Sequence, residues 1–164
     1  MQNRRQTLRR GAAIGLAAGL WNTSVFATVY LDIEQARKLL LPQATSFQPW
    51  RIALDAQALD AIAQATQTRV PASYAPAGWI GLDAQGARVG FVLADHVIGR
   101  YEWIDYAAGF AADGTLTQVE VLAYRESHGT EIRNISGATL SCQHVTEGVQ
   151  RLSAIVQQQL HRTS

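Results

Sequence analysis

Between positions 142 and 160, apolar side chains recur every three or four residues: Cys142, Val145, Val149, Leu152, Val156 and Leu160. That spacing places them on one stripe of a helix, with Gln143, Glu147, Gln150, Gln157 and Gln158 off it. Gly148 interrupts the stripe and predicts a close backbone contact at that point. Two shorter helices are predicted upstream. Asp32 caps the first, with Gln35 at capping-box spacing, and Pro42 stops it. Asp55 opens the second, which carries Leu59, Ile62 and Ala63 on one face and runs to about Thr68.

Beyond a loop at Pro71–Gly78 the period falls to two. Trp79–Asp83 and Arg88–Ala94 flank a turn at Ala84-Gln85-Gly86. Glu102–Phe110 and Leu116–Tyr124 flank a second turn, Ala112-Asp113-Gly114-Thr115. In the last of these segments Leu116, Gln118, Glu120 and Leu122 alternate with Val119, Val121 and Ala123. The pattern predicts an α+β fold: an antiparallel β meander of about four strands flanked by helices, with a long C-terminal helix. No internal repeat or low-complexity linker interrupts it.

The first 27 residues have a different character. Arg4, Arg5, Arg9 and Arg10 precede an apolar run, Gly11–Leu20, and Val25-Phe26-Ala27 places small residues where a leader is cleaved. Paired arginines followed by Leu8 and Arg9 resemble a twin-arginine export signal, with Thr7 where that signal prefers an aromatic. The division expected is an export signal over 1–27 and a single domain over 28–164. The location expected is periplasmic or otherwise exported, with membrane association if the signal stays uncleaved. Setting aside those four arginines leaves 10 basic residues against 13 acidic ones, about −3, which argues against nucleic acid as a partner. A single cysteine, Cys142, allows no internal disulfide, so the domain must rely on its core. Cys142 falls on the apolar stripe and is expected to be buried. His96, His128, His144 and His161 show no helical metal-ligand pair, and no metal site is predicted. No nucleophile–base pair and no acid–base carboxylate couple points to hydrolysis, so no catalytic residue is assigned.

The stretch Ile135-Ser136-Gly137-Ala138-Thr139-Leu140-Ser141 reads as a small-residue turn running into the last helix. The first N–H groups of a helix lack partners, and together with the helix dipole they favour an anion, phosphate being the usual one. Gly137 and Ala138 keep the approach open, while Ser136, Thr139 and Ser141 offer hydroxyls. A Thr or Ser that merely caps the helix fits the same residues.

Ser136-Gly137-Ala138-Thr139 resembles the Ser/Thr-Gly-Ala-Thr motif of the FMN-binding domain family, which includes subunits of the sodium-pumping NADH:quinone reductase and of the Rnf electron-transfer complex. The resemblance extends over Val29 to Leu160 and is most specific from Leu122 to Leu152. Val119–Gly129 is similar to the family's strand and following loop, where a Glu and a Gly lie near the flavin. It implies that FMN is the cofactor, that the Thr139 hydroxyl carries it through a phosphoester made by a separate flavin transferase, and that Ser136, Gly137 and Ala138 wrap the phosphate, with Leu140 and Ser141 completing the segment. Glu126, Ser127 and Gly129 would lie near the ring. Two features depart from the family. Arg133 stands where the transferase's target pattern often has Asp, and Gly129 and Ser136 are only seven positions apart where relatives often carry an insertion.

Ordinary roles compete for several of these residues. Glu126 fits a solvated loop carboxylate as well as a flavin partner, Arg125 a surface ion pair, and His128 a polar loop residue. Trp79, Trp103 and Tyr124 lie in strands, where aromatic side chains are mostly core. What the resemblance implies is an exported flavoprotein that carries electrons between redox partners, its donor or acceptor being a membrane or exported redox protein. The alternatives are an oxidoreductase with non-covalent FMN, and a sensory or assembly module serving another exported redox protein.

Overall fold

The computed structural model describes residues 27–99, 102–126 and 135–163. The order of elements is β1 (Ala27–Val29), α1 (Ile33–Leu40), β2 (Ser46–Pro49), α2 (Ala56–Thr66), β3 (Ala77–Leu82), β4 (Arg88–Ile98), β5 (Glu102–Ala111), β6 (Leu116–Glu126) and α3 (Ile135–Thr163). Both short helices start where a carboxylate satisfies a free N–H. Asp32 Oδ1 accepts from the Gln35 N–H at 2.8 Å, and Asp55 Oδ1 accepts from the Ala58 N–H at 2.8 Å. α2 ends at Gln67 in the left-handed region, φ 53°.

The sheet has six strands in the order β1-β6-β5-β4-β3-β2, with every neighbouring pair antiparallel. β3 to β6 form the expected meander. The two additional strands sit at its edges, and they are short, three and four residues, which is too little chain to show a period of two. The turns follow their chemistry. Asp83 accepts from the N–H groups of Gln85 and Ala87 around Gly86 (φ 80°), and Asp113 accepts from the Thr115 N–H beside Gly114 (φ 85°).

Alternation along the strands gives the sheet two buried faces. One carries Phe91, Leu93, Ile104, Tyr106, Ala108 and Phe110, packed against Ile62 of α2 and Leu152, Ile155 and Val156 of α3. The other carries Val92 and Ala107 under Ala36, Leu40 and Leu41 of the α1 segment. Glycines let that segment come close. A Cβ at Gly90 would meet the Phe110 carbonyl and Leu41, and one at Gly109 would lie 3.0 Å from Leu40. α3 therefore belongs to a layered α+β domain, with helices on both sides of one sheet.

The stripe predicted for the last helix holds in its C-terminal half and loosens towards the start. Leu152 and Val156 are fully buried, joined by Ile155, which the stripe omitted. Val145, Val149 and Leu160 are half-buried. Cys142 is exposed, contrary to its place on the apolar stripe: over residues 142–162 the buried positions begin at Gly148, and a thiol six residues ahead of it meets solvent. Gly148 makes the close contact predicted for it, buried against the Tyr106 hydroxyl.

Candidate functional site

α3 is continuous over 29 residues, about 43 Å. Its C-terminal half is fixed at one end of the sheet, where the Gln157 side chain donates to the Gly114 carbonyl at 3.2 Å and Leu160 lies against Gly114. From there the helix runs towards the opposite end, where β4 finishes at Ile98, β5 starts at Glu102 and β6 finishes at Glu126. Gly148 passes over Val97 and Tyr106. The 13 residues from Ile135 to Glu147 continue for about 20 Å further.

The helix begins earlier than the small-residue pattern suggests. Ile135, Ser136, Gly137 and Ala138 form its first turn, and the N–H groups of the first three have no acceptor within the helix. Thr139 is the fifth helical residue, so it is not the N-cap, and the capping role that competed for it loses its position. Leu140 and Ser141 continue the helix. The first turn holds no acidic residue, so no carboxylate of its own competes for that positive end. Glu126 is the last residue of β6, paired with Glu102, which places it on a strand end instead of in a loop. Ser127, His128, Gly129 and Arg133 lie outside the described residues.

Three further features lie along α3 and the strands beneath it. Trp103 pairs with Ile98 on one side and with Arg125 on the other. It is 40% exposed, where strand aromatics were expected to be core, and its ring meets His96 edge-on at 4.9 Å. Trp79 and Tyr124 are half-buried and pack against the edges of the two core clusters. Secondly, an open trough of about 920 Å³ lies along α3, lined by Thr66 at the end of α2, Leu116 and Val119 of β6, and Val145, Thr146 and Val149 of α3. That volume lies in the range of small-molecule sites. Thr146 follows Thr139 by seven residues, two helical turns, so their Cα atoms share one line along the helix about 10 Å apart. No residue of the trough was assigned to a site from the sequence, because its walls come from three elements remote in the chain.

Thirdly, a polar cluster ties α3 to the sheet. Asp95 Oδ2 accepts from the Tyr74 hydroxyl at 2.6 Å and from the Tyr106 hydroxyl at 3.2 Å. The Arg151 guanidinium lies 5.7 Å over the Tyr74 ring. Burial, reinforced by the Asp95 carboxylate, pushes both phenols well above their ordinary range, so both remain O–H donors. Among the described residues no group of three His, Cys, Asp or Glu side chains is placed to hold a metal ion.

A flavin phosphate fits these residues. They provide the leading N–H groups of a helix, a glycine and an alanine in the first turn, no acidic residue in that turn, and a hydroxyl-bearing residue immediately beyond. Residues 99–154 match the model of the FMN-binding domain family, a segment that contains β5, β6, the Ser136–Thr139 motif and most of α3. No match to a curated protein or to a solved structure accompanies it. The matched segment contains the helix start that suits a phosphate, and over residues 99–154 this chain is similar to the FMN-binding domain family.

Proposed function

We propose that the chain is an exported electron carrier whose FMN is held by its phosphate at the start of α3 and joined to Thr139. The observation that carries this reading is the position of the motif within the family match: Ser136–Ala138 form the first turn of a 29-residue helix and Thr139 follows directly. The N–H groups of that turn bind and orient the phosphate, and a phosphodiester retains one negative charge, which suits the positive helix end. Attachment by a flavin transferase balances simply. The Thr139 oxygen forms a bond to the FMN phosphorus of FAD, AMP leaves, and the hydroxyl proton is released, with a divalent metal supplied by the transferase. Glu126, at the end of β6, and Ser127 and Gly129 beyond it are the residues assigned to the flavin's surroundings. The bound flavin supplies the redox chemistry; the protein supplies position and charge.

The leader-like segment at 1–27 supports export to the periplasm, and exchange with a membrane or exported redox protein follows from that location. The trough beside α3 favours one second reading, an oxidoreductase that admits a small organic substrate. One experiment separates the two. The full chain, produced with a flavin transferase, is reduced with dithionite and mixed with a one-electron acceptor such as ferricyanide, then assayed for steady-state turnover of quinones and dyes. Full bleaching and stoichiometric reoxidation with negligible turnover support the carrier. Saturable turnover of an organic substrate supports the second reading, and protein without a flavin spectrum contradicts both.

A further inference from the structure

Fully buried positions along the described part of α3 are Gly148, Leu152, Ile155 and Val156. Gly148 is the one nearest the motif. Ahead of it, Cys142, Gln143 and Thr146 are exposed and Val145 is half-buried against the core, so over residues 142–162 Gly148 is the first buried position met from the motif end. That contact is specific. A Cβ added to Gly148 would collide with the Tyr106 hydroxyl and would lie 2.9 Å from Tyr106 Cζ and 3.0 Å from Val97. The hydroxyl itself is not free to swing away, because it donates to Asp95, its direct cross-strand partner, and Asp95 also accepts from Tyr74. Arg151, three residues beyond Gly148, reaches over the Tyr74 ring from α3. A tyrosine at an otherwise apolar inward position (Ile104, Ala108 and Phe110 are its neighbours on that face) needs such a partner for its O–H.

We propose that Tyr106, held by Asp95, is a positioning residue: its hydroxyl forms the seat for Gly148 and so sets where the start of α3 meets the flavin phosphate. This rests on the reading that the helix start holds FMN. The lever is long. Thr139 lies nine residues ahead of Gly148, about 13.5 Å along the axis, so a tilt of about 10° at the seat moves the Thr139 Cα by about 2.3 Å. Binding constellations lose function at displacements of about 1 Å. Tyr106 touches neither phosphate nor ring; it acts through the helix.

The test uses the full chain as Tyr106→Phe, Gly148→Ala and the double variant, at a temperature where circular dichroism shows each folded. Two quantities are read: amide hydrogen exchange along α3 in flavin-free protein, and the dissociation constant of FMN. The seat predicts exchange at least about tenfold faster at residues 142–147 in Gly148→Ala, with 152–160 unchanged, since opening would be local. FMN binding weakens by about tenfold or more in the same variant. Tyr106→Phe in the Gly148→Ala background restores part of both, because the colliding oxygen is gone. Exchange that rises uniformly along α3, or FMN affinity unchanged in a folded Gly148→Ala protein, overturns the positioning role. If exchange quickens only at 142–147 while wild-type protein neither binds FMN nor acquires it from a flavin transferase, the seat stands as a helix contact; the flavin reading and the link drawn here from it are overturned.

Discussion

Asp55 does two things at once. Its carboxylate caps α2 through the Ala58 N–H, and it accepts from Arg162 at 2.9 Å, tying the start of α2 to the last turn of α3. The Arg162 hydrogen bond, with help from the Ala58 N–H, holds its pKa below the ordinary 3.8. A carboxylate depressed in the folded state contributes stability that is fully present above the unfolded value and is lost as pH falls through the folded one. This contact is therefore expected to contribute a small loss of urea stability as pH falls below about 4, and Asp55→Asn to flatten that part of the acid limb while slightly lowering the midpoint at pH 7; midpoints measured from pH 2.5 to 7 check both. Cys142 provides a second residue-level check. Its exposed thiol is expected to react with a maleimide in native protein at a rate comparable to that in urea, whereas a buried thiol would be protected until unfolding.

At the scale of elements, the energetics concentrate where the two faces of the sheet are closed. Leu152→Ala leaves a cavity under α3 and is expected to cost about 3 kcal/mol in denaturant unfolding. Gly90→Ala, on the opposite face, drives a methyl group against the Phe110 carbonyl and Leu41 and is expected to cost about 2 kcal/mol by the same measurement; an effect under 0.5 kcal/mol would mean that α1 is not seated there. Most of these elements were legible in advance. Caps at Asp32 and Asp55, the turns around Gly86 and Gly114, and the meander between them are local chemistry, written within a few residues of where they act. β1 and β2 were not, because three- and four-residue edge strands exist only by pairing with β6 and β3. The burial of Cys142 was misjudged for a related reason. Helical spacing tells which residues share a stripe, but not which of them the sheet covers.

For the molecule as a whole, one helix connects two ends with different tasks. Its C-terminal half is buried against β4, β5 and α2, and its start reaches past Gly148 carrying the Ser136–Thr139 turn at the end where β4, β5 and β6 meet the remaining chain. The motif was readable from sequence, since its chemistry is local: a hydroxyl, a glycine and a second hydroxyl at a helix start. The trough and the Asp95, Tyr74, Tyr106 and Arg151 cluster were not, since each assembles residues from three or more distant segments. The central claim, that Thr139 bears the flavin, is tested most directly by producing the full chain with an active flavin transferase, denaturing it, and recording in-gel flavin fluorescence and intact mass for wild type and Thr139→Ala. The account predicts fluorescence that survives denaturation and one added FMN in wild type, both absent from Thr139→Ala. A denatured wild-type chain without flavin, or a Thr139→Ala chain that keeps it, would contradict the account.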